Sequence, residues 1–247
     1  MRYHIIMKIK TWLLPIAGLL VIVLTVCLVL TSQQHQSNKI LIGVDVSWPN
    51  CATPPVAADF GIVGVSGGLD FRVNNCLRSE ANWFSSPALY MNSGWPGADM
   101  TYQYKTFPEK CSVGDETCLA YNYGYHAALF AINYANSQLT HSTNWWLDIE
   151  TENSWTNNIY QNRSAILGMV DALHQNVIGV TIGAYAYPGQ WTTLVGSWQP
   201  DLPAWVATGS TNLAAAKAAC LAPSITAKSV VLAQYTTYLD QDLMCDQ

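Results

Sequence analysis

The sequence predicts an α/β fold: a single irregular TIM-type (β/α) barrel ectodomain behind an N-terminal transmembrane helix. Three observations predict it. Short, near-continuously apolar runs rich in β-branched residues alternate with helical patterns, which is the signature of a parallel sheet covered on both faces. Polar residues gather where those runs end, at Asp45, Ser66, Asn92, Asp148 with Glu150, Tyr185 and Gln234. A barrel collects its functional groups at the C-terminal ends of its strands in this way. A doubly wound sheet would carry a Gly-rich phosphate turn after the first strand, and Asp45-Val-Ser-Trp-Pro-Asn50 is not one. The third observation is an uncharged apolar run, Trp12 to Leu30, near the N-terminus.

That run has 19 residues and as a helix reaches ~28 Å, close to the thickness of a hydrocarbon core. Arg2, Lys8 and Lys10 precede it and place the N-terminus in the cytoplasm. No Ala-x-Ala site follows, only Thr31-Ser-Gln-Gln34, so the expectation is an uncleaved signal anchor over residues 1–31. A cleaved signal, giving a secreted protein, is the alternative. Cys27 follows Val26 and is followed by more apolar sequence, so it reads as a membrane-buried thiol. Ser32 to Lys39 is a polar linker, and residues 40–247 form one domain of ordinary size.

Within that domain the strand patterns are Ile40–Ser47, Phe60–Ser66, Pro87–Asn92, Trp145–Glu150, a segment inside Val177–Tyr187, Ala204–Ala207 and Ser229–Tyr235. Helical patterns cover Asn75–Phe84, Glu116–Asn136, Asn162–Gln175 and the short Ala214–Cys220. Helices thin out after the fifth strand, which predicts a helix-poor closure of the barrel.

Composition narrows the function. The chain has 247 residues, half of them apolar and 11% charged, with a net charge of −5. Disordered chains are apolar-poor and charge-rich. No basic stretch marks a nucleic-acid binder, and no nucleic-acid partner is expected. Six cysteines lie beyond the apolar run: Cys51, Cys76, Cys111, Cys118, Cys220 and Cys245. An even number outside a membrane predicts three disulfides. Sequence proximity favours 51–76, 111–118 and 220–245, with other connectivities open. There is no Cys-x-x-Cys and no zinc spacing of His, so neither metal nor other cofactor is expected.

Asp148-Ile149-Glu150 carries the most chemistry. On a strand, residues i and i+2 point to one face, so both carboxylates enter the barrel mouth together, near Asp45 of the first strand. Crowded carboxylates repel, so one holds its proton while its partner ionises, and glycosidic cleavage needs that pairing. Seven tryptophans (Trp48, Trp95, Trp145, Trp146, Trp155, Trp191 and Trp205) lie near strand ends. Most are expected to fill the barrel, and a few to stack on a ligand. Gly64-Val-Ser-Gly-Gly68 matches the G-x-S-x-G pattern, but Ser66 follows only the second strand and leads into no helix. His126, His141 and His174 fall on helical or interhelical stretches, so serine hydrolysis is set aside.

Taken in order, several motifs resemble those of the family-25 glycoside hydrolases, lysozymes that cut peptidoglycan between N-acetylmuramic acid and N-acetylglucosamine. Gly43-Val-Asp45-Val-Ser47 is similar to that family's opening strand, and Trp146-Leu-Asp148-Ile-Glu150 to its L-D-[VI]-E strand. Ile182-Gly-Ala-Tyr185 with Trp191, Pro203-Ala-Trp205-Val-Ala207, and Gln234-Tyr235 with Asp242-Leu243 resemble its later segments. The resemblance implies an irregular barrel with five helices and three late strands. It implies that Glu150 is the proton donor and that Asp148 orients or stabilises, for example through the substrate's N-acetyl group. Asp45 and Asp242 would line the site; Tyr185, Trp48, Trp146, Trp205, Gln234 and Asn92 are the candidate substrate-binding residues. The chain departs from the pattern in its second strand, where Gly64-Val-Ser-Gly-Gly68 has neither the family's Lys nor its Glu. Met244 stands for a closing Asn and Ala233 for a Trp, so it reads as a divergent branch. The expected activity is that of a membrane-anchored, extracellular hydrolase of cell-wall polysaccharide. The alternative is an inactive glycan-binding barrel tethered to the membrane.

Overall fold

The computed structural model describes residues 39–55, 57–100 and 104–245. The expected anchor at Trp12–Leu30 and residues 32–38 of the linker lie outside them. No helix among the described residues is long and apolar enough to cross a membrane. Residues from Leu41 onward cluster as one unit; Lys39 and Ile40 are the described residues of the other.

Eight strands close a barrel in sequence order: β1 Ile42–Val46, β2 Gly61–Gly64, β3 Ala88–Asn92, β4 Asn144–Asp148, β5 Thr181–Ala186, β6 Ala204–Ala207, β7 Val230–Thr236 and β8 Asp240–Met244. The first seven run parallel; β8 is antiparallel to both β7 and β1. The strand patterns in the sequence account for β1 to β7, and β8 is the correction to an all-parallel reading. Residues 237–239 are too few for a crossover, so the chain must turn straight back. Asp240-Gln-Asp242-Leu-Met244 alternates with carboxylates on its inner face, which hides its strand character in a composition that reads as loop.

Among the described residues five α-helices cover the outside: α1 Leu77–Ala81, α2 Glu116–Ser137, α3 Ile159–Asn176, α4 Pro188–Val195 and α5 Leu213–Cys220. Side-chain caps set the starts of three of them. Asp115 accepts from Cys118 N–H at 3.0 Å, Asn158 from Tyr160 N–H at 3.0 Å, and Asn212 from Ala215 N–H at 3.0 Å. Helices do shorten after the fifth strand, to eight residues each in α4 and α5, but α4 itself is absent from the helical patterns of the sequence. Pro188 supplies the first-turn φ, and Gly196, at φ 61°, stops the helix after two turns. Trp191, Leu194 and Val195 give it a buried face.

The core has two layers. Outward-facing strand residues such as Val44, Val63, Leu89, Leu147, Ala184 and Val206 meet the helices. Inside the barrel, Ile62, Trp146, Tyr185, Trp205, Ala207 and Leu232 fill the lumen. Trp146 needs the room that Gly183 leaves beside it on β5, because a Cβ there would collide with the indole. The three disulfides join Cys51 to Cys76, Cys111 to Cys118 and Cys220 to Cys245, at Cα separations of 5.5, 5.5 and 5.4 Å. This is the pairing that sequence proximity favours.

Candidate active site

Strand alternation decides which side chains enter the barrel. On β4, Trp145 and Leu147 pack toward the helices, so Trp146 and Asp148 face inward, and Glu150 keeps that parity just past the strand. On β1, Val44 and Val46 face out and Asp45 faces in. Register then sets depth. Asn92 of β3, Asp148, Tyr185 of β5 and Trp205 of β6 are level with one another across neighbouring strands. On the antiparallel side Asp45 pairs with Asp240, and Gln234 of β7 with Asp242. The result is a cavity of about 130 Å³ lined by Asp45, Tyr90, Asp148, Glu150, Tyr185, Trp205, Gln234 and Asp240.

Hydrogen bonds hold the carboxylates in place. Asn92 donates through Nδ2 to Asp148 Oδ2 at 2.6 Å, and Asn153 donates to the Asp148 carbonyl at 3.1 Å. The Tyr185 hydroxyl donates to Gln234 Oε1 at 2.8 Å, and Gln234 Nε2 donates to Asp45 Oδ2 at 2.8 Å. Trp205 Nε1 donates to Asp242 Oδ1 at 2.8 Å. Two carboxylate oxygens, Asp148 Oδ1 and Asp242 Oδ2, have no donor among these groups. Each side chain instead meets another carboxyl, Asp148 with Glu150 and Asp242 with Asp45. A buried oxygen facing a carboxylate is satisfied when it carries a proton and donates it.

The electrostatics agree. Asp148 and Asp242 are 5% and 0% exposed. Burial, reinforced for Asp148 by Glu150 and for Asp242 by Asp45, holds both well above the usual carboxylate range. Glu150, partly exposed at the mouth, is also raised, by burial first and the charge of Glu152 second, while its contact with Asp148 pulls it back. Burial and then Asp240 push Asp45 up to about 7, against hydrogen bonds from Gln234 and Asp242. Two carboxyl pairs therefore sit in the barrel, and in each burial holds the deeper member's proton affinity the higher of the two.

The structure brings Asp45, Asp148, Glu150, Tyr185, Trp205 and Gln234 to one cavity, with Asn92 and Asp242 bonded directly behind it. It separates two of the expected substrate-binding residues from that cavity. Trp146 sits beneath, edge-on to Trp205 with centroids 5.6 Å apart, and is 8% exposed. Trp48 lines a different depression. Sequence reasoning missed Tyr90 and Asp240. Tyr90 occupies space left by Gly64, where a Cβ would lie 2.7 Å from the phenol ring carbon that bears the hydroxyl. Parity along β3 was the signal for Tyr90, two residues before Asn92; Asp240 needed β8 to be recognised first. Ser66 accepts from the Asn92 N–H at 3.2 Å and so supports the third strand's end. Cys51, Cys76 and Glu80 come close enough to suggest a metal site, but the two sulfurs are bonded to each other and offer no thiolate.

No family model matches the chain, and no curated protein matches it in sequence. Solved structures match it in fold. A muramidase from Trichobolus zukalii aligns at 13% identity and TM-score 0.50, over 84% of this chain and 94% of that one. A family 25 glycosyl hydrolase from Bacillus anthracis aligns at 13% identity and TM-score 0.50, over 86% and 93%. The spore cortex lytic enzyme SleM of Clostridium perfringens aligns at 12% identity and TM-score 0.54, over 85% and 69%. The likeness establishes the fold: this chain adopts the barrel seen in a family 25 glycosyl hydrolase.

Proposed function

We propose that the protein is a glycoside hydrolase of cell-wall polysaccharide, with peptidoglycan as its substrate and Glu150 as its general acid. One observation carries the reading. Asp148 and Glu150 share the inner face at the end of β4, both with raised proton affinity, one deep and the other at the mouth. The fold shared with a muramidase and a spore cortex lytic enzyme supports the choice of substrate.

The geometry is compatible with the following sequence of events. In the empty site the proton rests on Asp148, facing Glu150. An N-acetyl group entering the cavity donates its amide N–H to Asp148 and favours that residue's anionic form. The proton then passes along the existing contact to Glu150, which a bound sugar shields further from water. Glu150 gives it to the glycosidic oxygen as the C–O bond breaks. Anionic Asp148 steadies the positive charge that develops at the sugar, and a water adds to the anomeric carbon as Glu150 takes a proton back. Asp45, braced by Gln234, lines the same cavity and adds negative potential when it is ionised. An anchored domain outside the membrane, on the linker expected at residues 32–39, would act on wall within reach of that tether.

The test is turnover of purified peptidoglycan by the full-length chain, with fragments read by mass spectrometry. Fragments ending in reducing muramic acid support the proposal. A folded protein that releases nothing, yet sediments with the wall, fits a glycan-binding barrel instead.

A further inference from the structure

Next to the carboxylate cavity, and unused by the hydrolysis just described, lies a wider depression of about 430 Å³ lined by Trp48, Cys51, Gly67, Arg72, Val73 and Asn75. It sits at the same end of the barrel. Trp48 is three residues past Asp45, at most ~10 Å of chain, and the Ser47 side chain between them hydrogen-bonds Tyr90 of the cavity wall.

Its walls are fixed. On one side, Ser66 and Val73 pair as an isolated bridge, and the Gly67 N–H donates to the Arg72 carbonyl at 3.1 Å. Phe71 sits at φ 54°, a left-handed backbone that a bulky side chain rarely adopts. The surroundings hold it there. Its ring packs against Tyr104, Tyr123 and Phe130, and the Tyr123 hydroxyl donates to the neighbouring Asp70. On the other side, the Cys51–Cys76 disulfide ties the turn after β1 to the start of α1. Strained, over-determined backbone of this kind clusters at ligand sites.

Two side chains stand out in this frame. Trp48 is 52% exposed although it is a large apolar ring. Arg72 is exposed and has no carboxylate partner among the described residues, in a chain whose net charge is −5. An indole face offers an apolar platform to a sugar ring, and a guanidinium offers a planar fork to an anion.

We propose that this depression is a second glycan subsite, which takes a sugar bearing an anionic substituent with its ring on Trp48 and its anion on Arg72. The proposal extends the glycan-hydrolase reading, and its test separates the two. The full-length chain carrying Glu150→Gln is titrated with N-acetylmuramic acid and with N-acetylglucosamine, two rings that differ by one lactyl carboxylate. The readout is the Trp48 indole N–H resonance, assigned through Trp48→Phe.

The acidic sugar should bind about three- to fivefold more tightly, the scale of one exposed charge pair. Arg72→Gln should bring the ratio to one, and Arg72→Lys should retain part of it. N-acetylglucosamine 6-phosphate identifies the anion: if it binds more tightly than the muramic acid and that advantage is also lost in Arg72→Gln, the substituent is a phosphate. An unmoved Trp48 resonance, or a ratio unchanged by Arg72→Gln, overturns the proposal. If the unmutated chain cuts no wall while the Arg72-dependent preference holds, the hydrolase reading fails and the subsite stands. Cutting without the preference gives the converse.

Discussion

Asp45 shows how one side chain can report on the whole site. Its proton affinity is pushed up to about 7 by burial and by Asp240. An aspartate raised in the folded state binds more protons there than in the unfolded chain, so it favours folding below its unfolded pKa of 3.8 and progressively less as pH rises toward 7. Thermal unfolding should therefore show a higher Tm at pH 5 than at pH 8, and Asp45→Asn should flatten that slope. Equal slopes in the two proteins would show that Asp45 ionises freely. At this scale the sequence was informative where two groups share a strand face. Asp148 and Glu150 are two residues apart, and no tertiary knowledge is needed to put them together. Tyr90 and Asp240 depend on which strands are neighbours and at what register, which a single strand's pattern does not contain. Trp146 illustrates the opposite error: it has the right parity for the site but lies one layer too deep, where its ring fills the barrel over Gly183.

Among the elements, α2 and α3 approach each other closely, and glycine allows it. Gly124 of α2 lies against the Ala165 carbonyl of α3, and Gly168 of α3 against the Tyr121 carbonyl of α2. In each case a Cβ would strike backbone, which cannot rotate away. Gly124→Ala should therefore cost about 3 kcal/mol or more in urea unfolding, despite alanine's better helix propensity. A neutral or stabilising result would mean that the helices are free to separate. The long helices were legible because their apolar spacing persists over several turns. Helix α4 was not, since Pro188-Gly189 at its start reads as a turn, whereas the equally short α5 is marked by its run of alanines. Strand β8 was hidden because its inner face carries Asp240 and Asp242 where a strand is expected to be apolar.

The whole molecule is a barrel whose last strand both closes the sheet and brings carboxylates to the site. Reversing β8 lets a short connection complete the ring, and it puts Asp242 behind Asp45 and Asp240 beside it. The Cys220–Cys245 disulfide pins the residue after β8 to the end of α5, across 25 residues of chain. Replacing both cysteines by alanine should lower stability by about 3 kcal/mol, as expected for a loop of that size. Closure of the site should loosen with it, so activity should fall at temperatures where the intact protein is still fully folded. A double variant with unchanged Tm would show that β8 holds its place through sheet pairing alone.

The most direct measurement is the rate of peptidoglycan cleavage by Glu150→Gln beside the unmutated protein, with circular dichroism and Tm confirming that both are folded. Glutamine keeps the shape of the side chain and removes the proton it can give. A general acid contributes about a hundred- to ten-thousandfold to the rate, so a loss of that size with wall binding retained is the predicted result. Cleavage at the unmutated rate would contradict the assignment of Glu150 as the acid and, with it, the mechanism drawn from this site.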